Sequence, residues 1–412
     1  MTDHEQSMRH LPFFAELASL EEHDSAWRSV SAGLVTLRLV DAWIEEGRAA
    51  VLQDGWGMRS VEAAIEEMPG GVPTGAILLS IVKALRASAP GDLHAIAPRL
   101  MAYARALDLD AKWTLAADVY ATVIAHAHPV EESDVAITAH LRLAYCERSL
   151  GALDDAAASY DAASRIANEM DDMFGVLRAQ IGAAKIAIAR GNLPRAEALL
   201  DETIVRAQQH ELVDVHAMAL QDRAMVAHLR GRYDLAVQFA YSALERTPDG
   251  ADRDRLLSDI AGAFYMLGLH SVARDAYLIV QATAQEQYQR WAATINLMEI
   301  AARDGSRTLF ERYRRSLDGS TLPPAQSAQF QLQVSESYEA LAEPEAARAA
   351  GERARSIAGE YGFNQVLFEA DALLGRLAKG TAPARAPAAA EMPDALRGIA
   401  DQIGEMRRLV PQ

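Results

Sequence analysis

One phrase recurs along this chain. A glycine ends an apolar segment, and five residues later an alanine opens the next. Gly151 precedes Ala156, Gly191 precedes Ala196, Gly231 precedes Ala236 and Gly268 precedes Ala273. The four glycines stand 40, 40 and 37 residues apart. A fixed period of that length marks stacked supersecondary units, none of which can bury its apolar face alone. Such arrays grow by addition, so 412 residues need not be divided among several compact domains.

Each unit reads as helix, turn, helix. A glycine suits the turn because the residue that ends a helix so often takes positive φ. Leu143 and Ala144 lie before Gly151, and Ala156, Tyr160 and Ala163 follow it on one helical face. The next units read Ala183-Ala184, Gly191, Ala196, Leu200, then Arg223-Ala224, Gly231, Ala236, Ala240, Ala243 with Pro248 beyond, then Ile260-Ala261, Phe264, Gly268, Ala273, Tyr277. A weaker unit precedes them with Tyr103-Ala104, Ala111, Ala116 and Tyr120. Two more follow: Leu297-Met298 with Gly305, where Phe310 replaces the alanine, and Ala342, Ala347, Ala354.

This pattern resembles the tetratricopeptide repeat, with a large-small pair in the first helix and alanine, an aromatic and alanine in the second. The resemblance implies an all-α fold, a right-handed α-solenoid of antiparallel helix pairs. It predicts about seven units over residues 92–379, closed by a last helix near Phe363 to Leu377. The period exceeds the usual repeat of about 34 residues. The chain is in this respect similar to the elongated arrays of bacterial signalling and regulatory proteins.

Outside the array the grammar changes. Residues 1–91 keep helical periodicity without the phrase: Trp27, Val30, Leu34, Leu37, Val40 and Ile44 make one apolar face. Pro69 to Pro73 is a strong breaker there. Residues 1–70 hold 13 Asp and Glu against 5 Arg. This region is a capping pair of divergent repeats or a separate helical module. Residues 380–393 are rich in alanine and proline, as an extended linker is. Over residues 394–412 Leu396, Ile399, Ile403, Met406 and Val410 are spaced by three and four, an amphipathic heptad stripe. A helix this short is marginal alone, so its stripe should bury against a partner, a second copy or this chain itself.

The net charge of −17 repels nucleic acid and anionic membrane. No stretch of about 18 uncharged apolar residues is present. The start of the chain lacks the basic and apolar segments of a signal peptide. Cys146 is the one cysteine and reads as a small buried side chain. These features predict a cytoplasmic protein with no nucleic-acid or membrane partner. His126 and His128 point to different helix faces and have no third ligand nearby. No nucleophile, phosphate-loop or metalloprotease motif occurs. Neither metal, cofactor nor enzymatic activity is expected.

In the repeat family that the chain resembles, the first helix of each unit lines the inner wall. Carried over, that implies a groove containing Arg142, Tyr145, Arg148, Arg178, Lys185, Gln221, Met225 and Tyr265. The cations suit a peptide carboxylate. A second basic group, Arg303, Arg307, Arg312, Arg314 and Arg315, surrounds Phe310 and Tyr313. The expected function is a non-catalytic scaffold or adaptor that binds a peptide or helix, with an acidic segment, in its concave groove. The C-terminal stripe adds a partner or self-association contact. The alternative is a regulatory sensor of a signal peptide.

Overall fold

The computed structural model describes residues 9–22, 24–53, 56–68, 73–87, 93–127, 131–247, 250–318, 320, 322–380 and 391–410. The proline-glycine breaker at 69–72, His128, Pro248 and the linker residues 381–390 lie outside them. Among the described residues every regular element is an α-helix. Two compact units divide the chain, Met1–Val215 and His216–Gln412.

The first unit holds α1 (Leu11–Ser19), α2 (Ser25–Gln53), α3 (Trp56–Glu66), α4 (Pro73–Ala87), α5 (Leu93–Leu109), α6 (Trp113–His126), α7 (Ser133–Ser149), α8 (Leu153–Glu169), α9 (Met173–Ala189) and α10 (Leu193–Gln209). The division falls inside α11 (Val213–Leu229). The second unit continues with α12 (Tyr233–Leu244), α13 (Ala251–Met266), α14 (His270–Thr283), α15 (Gln287–Arg303), α16 (Arg307–Asp318), α17 (Pro324–Ala340), α18 (Pro344–Tyr361), α19 (Asn364–Lys379) and α20 (Asp394–Leu409).

The turns explain the period. Gly151, Gly191 and Gly231 take φ of 81°, 73° and 70°. The residue after each donates its N–H to the carbonyl five residues back: Ala152 to Glu147 at 2.9 Å, Asn192 to Ala187 at 2.8 Å and Arg232 to Ala227 at 2.9 Å. This closure satisfies carbonyls that the helix end would leave bare. The same turn joins one unit to the next, with Asp171 at φ 54° and Glu211 at φ 56°. Asp172 then reaches Ala167 at 2.8 Å, and Leu212 reaches Ala207 at 2.9 Å. Positive-φ residues therefore recur every 20 positions from Gly151 to Gly231. The helices α7 to α11 between and beside them have 17 residues each. Two such steps make the 40-residue period.

The alanine of the phrase is the point of closest packing. Ala116, Ala156, Ala196, Ala236, Ala273 and Ala347 are all buried. Phe310 holds the equivalent place and is fully buried too, its ring edge-on to Tyr338 at 4.9 Å. In α9, Gly182 leaves the room that the Tyr160 ring occupies. Within each unit the odd-numbered helices touch one another directly: α5 meets α7, α7 meets α9, α13 meets α15, α15 meets α17 and α17 meets α19. From α6 onward, successive even-numbered helices make no comparable contact among the described residues. The odd helices thus form the tighter, inner layer of an α-solenoid.

The helices before the repeats share a core with them. One apolar cluster runs from Phe13, Leu37 and Trp43 through Tyr103 and Tyr120 to Cys146. His10, in the left-handed region at φ 62°, pins α1 to it. Its ring nitrogens meet Asp118 at 2.6 Å and Asp41 at 3.1 Å, and its side chain is 2% exposed. Arg9 and His126 also approach Asp41, at 3.4 and 3.6 Å.

The C-terminal helix turns its stripe onto the outer layer of its own unit. α20 packs against α12 and α14. Leu396 and Ile403 are fully buried, whereas Ile399, Met406 and Val410 are partly covered. Tyr241 donates its hydroxyl to Gln402 at 2.5 Å, and the Arg253 guanidinium lies 3.6 Å from the Met406 sulfur. Two buried aliphatic side chains contribute roughly 1.5–3 kcal/mol each. Ile403→Asp places a charge in that contact and is expected to release the helix. Hydrogen exchange over residues 394–409 should then lose its protection while α13 to α19 keep theirs; unchanged protection would show that α20 is held by other contacts.

Candidate functional site

The inner layer of the first unit carries the cations. Arg142, Tyr145 and Arg148 come from α7, and Arg178 and Lys185 from α9. Equal helix lengths and equal turns put these neighbours side by side. Arg142 and Arg178 lie near enough for their charges to act on each other. Burial, and then the positive charge of Arg142, lowers the pKa of Arg178. Neither has a carboxylate within 4.0 Å among the described residues. Asp172 acts on Arg178 only through its charge, without an ion pair, and two half-buried guanidinium groups with no paired carboxylate carry a desolvation cost that an incoming anion would offset.

Aromatic rings hold the arginines in place. The Arg178 guanidinium sits 5.4 Å from the Phe174 ring centre, and that of Arg148 sits 5.3 Å from Tyr145. The Arg148 Nε is buried without a hydrogen-bond partner. Lys185 is engaged with its own chain. Arg105, on α5, already pairs with Asp108 at 2.5 Å.

The predicted groove residues of the second unit have other surroundings. Gln221 is half-buried, and Met225 is 51% exposed on α11. Tyr265 on α13 is not available as a free hydroxyl, because it donates to the carboxylate of Glu299. Its ring stacks on His270 at 5.2 Å and lies 5.3 Å from the Arg303 guanidinium. Glu299 also accepts from Arg303 at 3.0 Å and from Gln333 at 3.0 Å. Beside it, burial and then the charges of Glu299 and Glu369 push the Glu336 carboxyl up to about 7. This carboxylate group was missed in the sequence, where the carboxylates belong to α15, α17 and α19 and look like ordinary helix-surface residues. Its signal was available: Glu299 and Glu336 lie six residues before Gly305 and Ala342, a wall position.

The other candidates close on themselves. Arg303 pairs with Glu299, Arg307 with Glu343 at 2.6 Å, Arg314 with Glu311 and Asp318, and Arg315 approaches Glu311 at 3.7 Å. That basic group is therefore largely neutralised by its own chain, with Phe310 inside the core. Cys146 is buried, and burial, then Asp108, pushes its thiol up to about 12. Such a thiol is inert. Among the described residues no group of three His, Cys, Asp or Glu is arranged to hold a metal ion. No described helix is long and apolar enough to cross a membrane.

No protein-family model matches the sequence, and no curated protein is detectably similar to it. Solved structures are similar. The apo form of the quorum sensor NprR from B. thuringiensis matches with a TM-score of 0.50 at 12% identity, covering 84% of this chain and 90% of that one. A Rap protein complexed with competence and sporulation factor matches with a TM-score of 0.47 at 11% identity, over 86% and 99% of the two chains. A tetratricopeptide repeat protein from Parabacteroides merdae matches with a TM-score of 0.44 at 14% identity, over 66% and 98%. At these identities the likeness concerns the fold, and the fold of this chain is that of a tetratricopeptide-like helical repeat protein.

Proposed function

We propose that the protein is a non-catalytic peptide-binding module whose first-unit inner wall holds an anionic group of its ligand. The observation that carries this reading is the half-buried Arg142–Arg178 pair, with Arg178 over the Phe174 ring and neither arginine in an ion pair among the described residues. A carboxylate at that point gains charge-assisted hydrogen bonds from two forks at once. The shared fold of a quorum sensor supports a second use of the same wall, in which the ligand is a signal peptide rather than a segment of a partner protein. Both uses need the same arginines.

The test is fluorescence anisotropy with a labelled Gly-Glu-Leu-Glu-Leu peptide carrying a free C-terminal carboxylate, against its Gln-substituted amide. The acidic peptide should bind at least tenfold tighter. Each charged hydrogen bond is worth about 1.5–3 kcal/mol, so Arg142→Glu with Arg178→Glu should weaken it about a hundredfold or more. Equal affinities for the two peptides, or unchanged affinity in the double variant, would overturn the reading.

A further inference from the structure

The inner layer of the second unit changes sign at some places, although Arg255 stands where the first unit has Arg178. Counted back from the turns, the places held in the first unit by Arg142 and Lys185 are held in the second by Asp259 and by Glu299 and Glu336. Between α11, α12 and α13 this layer opens into a cavity of about 190 Å³. Its apolar lining includes Ala224, Ala236, Ala240 and Gly262, with Met225 beside them and Asp259 as its carboxylate. The space exists because these positions carry small residues; a leucine at any of them would fill it.

Asp259 has no hydrogen bond or ion pair among the described residues. Asp259 is open to solvent, the apolar surroundings raise its carboxyl to about 6, and the Arg255 charge offsets this only in part. Arg255 is itself paired with Asp252 at 3.1 Å. His228, also on the lining, packs its ring against Tyr233 at 5.1 Å. Farther along the wall the carboxylates are partly neutralised, with Glu299 paired to Arg303 at 3.0 Å and Glu339 to Arg376 at 3.1 Å. Glu336 has no hydrogen-bonding partner among the described residues, and the 7%-exposed side chain of Glu339 keeps one buried oxygen unpaired.

An apolar shaft beside a single carboxylate matches a side chain with an apolar stem and a cationic head. At about 30 Å³ per water-sized group, the cavity holds about six such groups, and a lysine or arginine side chain has about five to seven non-hydrogen atoms. We propose that this cavity receives a lysine or arginine side chain of a bound peptide, its methylenes against Ala224, Ala236 and Ala240 and its charged head on Asp259. The assignment rests on the peptide-binding reading but uses a different set of residues from the arginine pair.

The test is methyl NMR of the full chain with ¹³C-methyl methionine, the Met225 signal being assigned by its loss in Met225→Leu. Acetyl-Gly-Arg-Gly-amide should shift the Met225 methyl saturably, in the millimolar range. The isosteric citrulline peptide should bind at least tenfold more weakly. Asp259→Asn, a change at a solvent-reachable carboxylate, should weaken the arginine peptide tenfold or more and leave the other methionine signals in place. Absence of a Met225 shift, equal response to arginine and citrulline, or unchanged affinity in Asp259→Asn would overturn the assignment. Binding of the acidic peptide is read in the same samples. If it persists while the arginine peptide fails, the cavity assignment alone falls; if both fail, the peptide-binding reading falls with it.

Discussion

Phe310→Ala is expected to destabilise the second unit by about 3–5 kcal/mol, although it restores the residue that the other units carry at that place. The alanine of the phrase lets two helices approach closely. Around Phe310 the helices have settled on a larger plug. Met298, Leu317, Phe330 and Val334 belong to the same buried cluster, and Tyr338 meets the ring edge-on at an interplanar angle of 76°. α16 has only 12 residues, so few of its side chains reach this core. Removing the ring leaves a void that the packed neighbours cannot close. Urea unfolding followed by circular dichroism and by Trp291 fluorescence measures the loss, because Trp291 packs on the same cluster. A loss below about 1 kcal/mol would mean that α15 and α16 close up as in the other units.

His10→Ala is expected to cost the first unit about 3–5 kcal/mol, the range for breaking a buried charge pair. Burial alone would lower the His10 pKa, but hydrogen bonds to Asp118 and Asp41, and their charges, hold it raised at about 9. The folded state therefore keeps the imidazolium to higher pH than the unfolded chain, whose value is 6.5. The stabilisation, about 3 kcal/mol, is complete below pH 6.5 and is lost as pH rises through about 9. Asp41 works at the other end. Burial opposes its ionisation, yet His10, His126 and Arg9 hold it well below the usual carboxylate range. Its contribution is present above pH 3.8 and is lost as the solution becomes more acidic. Four of the 5 tryptophans precede Val215, so fluorescence-detected urea unfolding reports mainly on this unit. The wild type should lose stability between neutral pH and pH 9, and His10→Ala should flatten that slope. An equal slope in both would show that His10 is not the titrating group.

Much of the fold was legible because the repeat is written in backbone-driven choices. Gly151, Gly191, Gly231 and Gly268 mark turns that need positive φ, and Ala156, Ala196, Ala236 and Ala273 mark close contacts. The turns between units were not legible. They use the same conformation with Asp171 and Glu211, whose side chains give no such signal and cost about 1–2 kcal/mol per residue in the left-handed region. Hence the long period was visible, but its origin in equal 17-residue helices was not.

The candidate site was legible only in part. Placing Arg142 and Arg178 on one wall follows from counting along the repeat. That neither forms an ion pair among the described residues follows from no count, because partners come from other helices. Arg303, Arg307 and Arg314 look equally basic in sequence, yet Glu299, Glu343 and Glu311 pair with them. Tyr265 was placed in the groove, and its hydroxyl is spent on Glu299. His10 and Asp118 are 108 residues apart, and no periodicity links them.

The all-α repeat, its period and the residues that face along each helix follow from local backbone conformation and helical geometry, and so can be read along the chain. The tertiary structure decided which charges stay unpaired, where alanines leave a cavity and which surface receives the stripe of α20. Those outcomes depend on distances between helices, and only packing sets such distances.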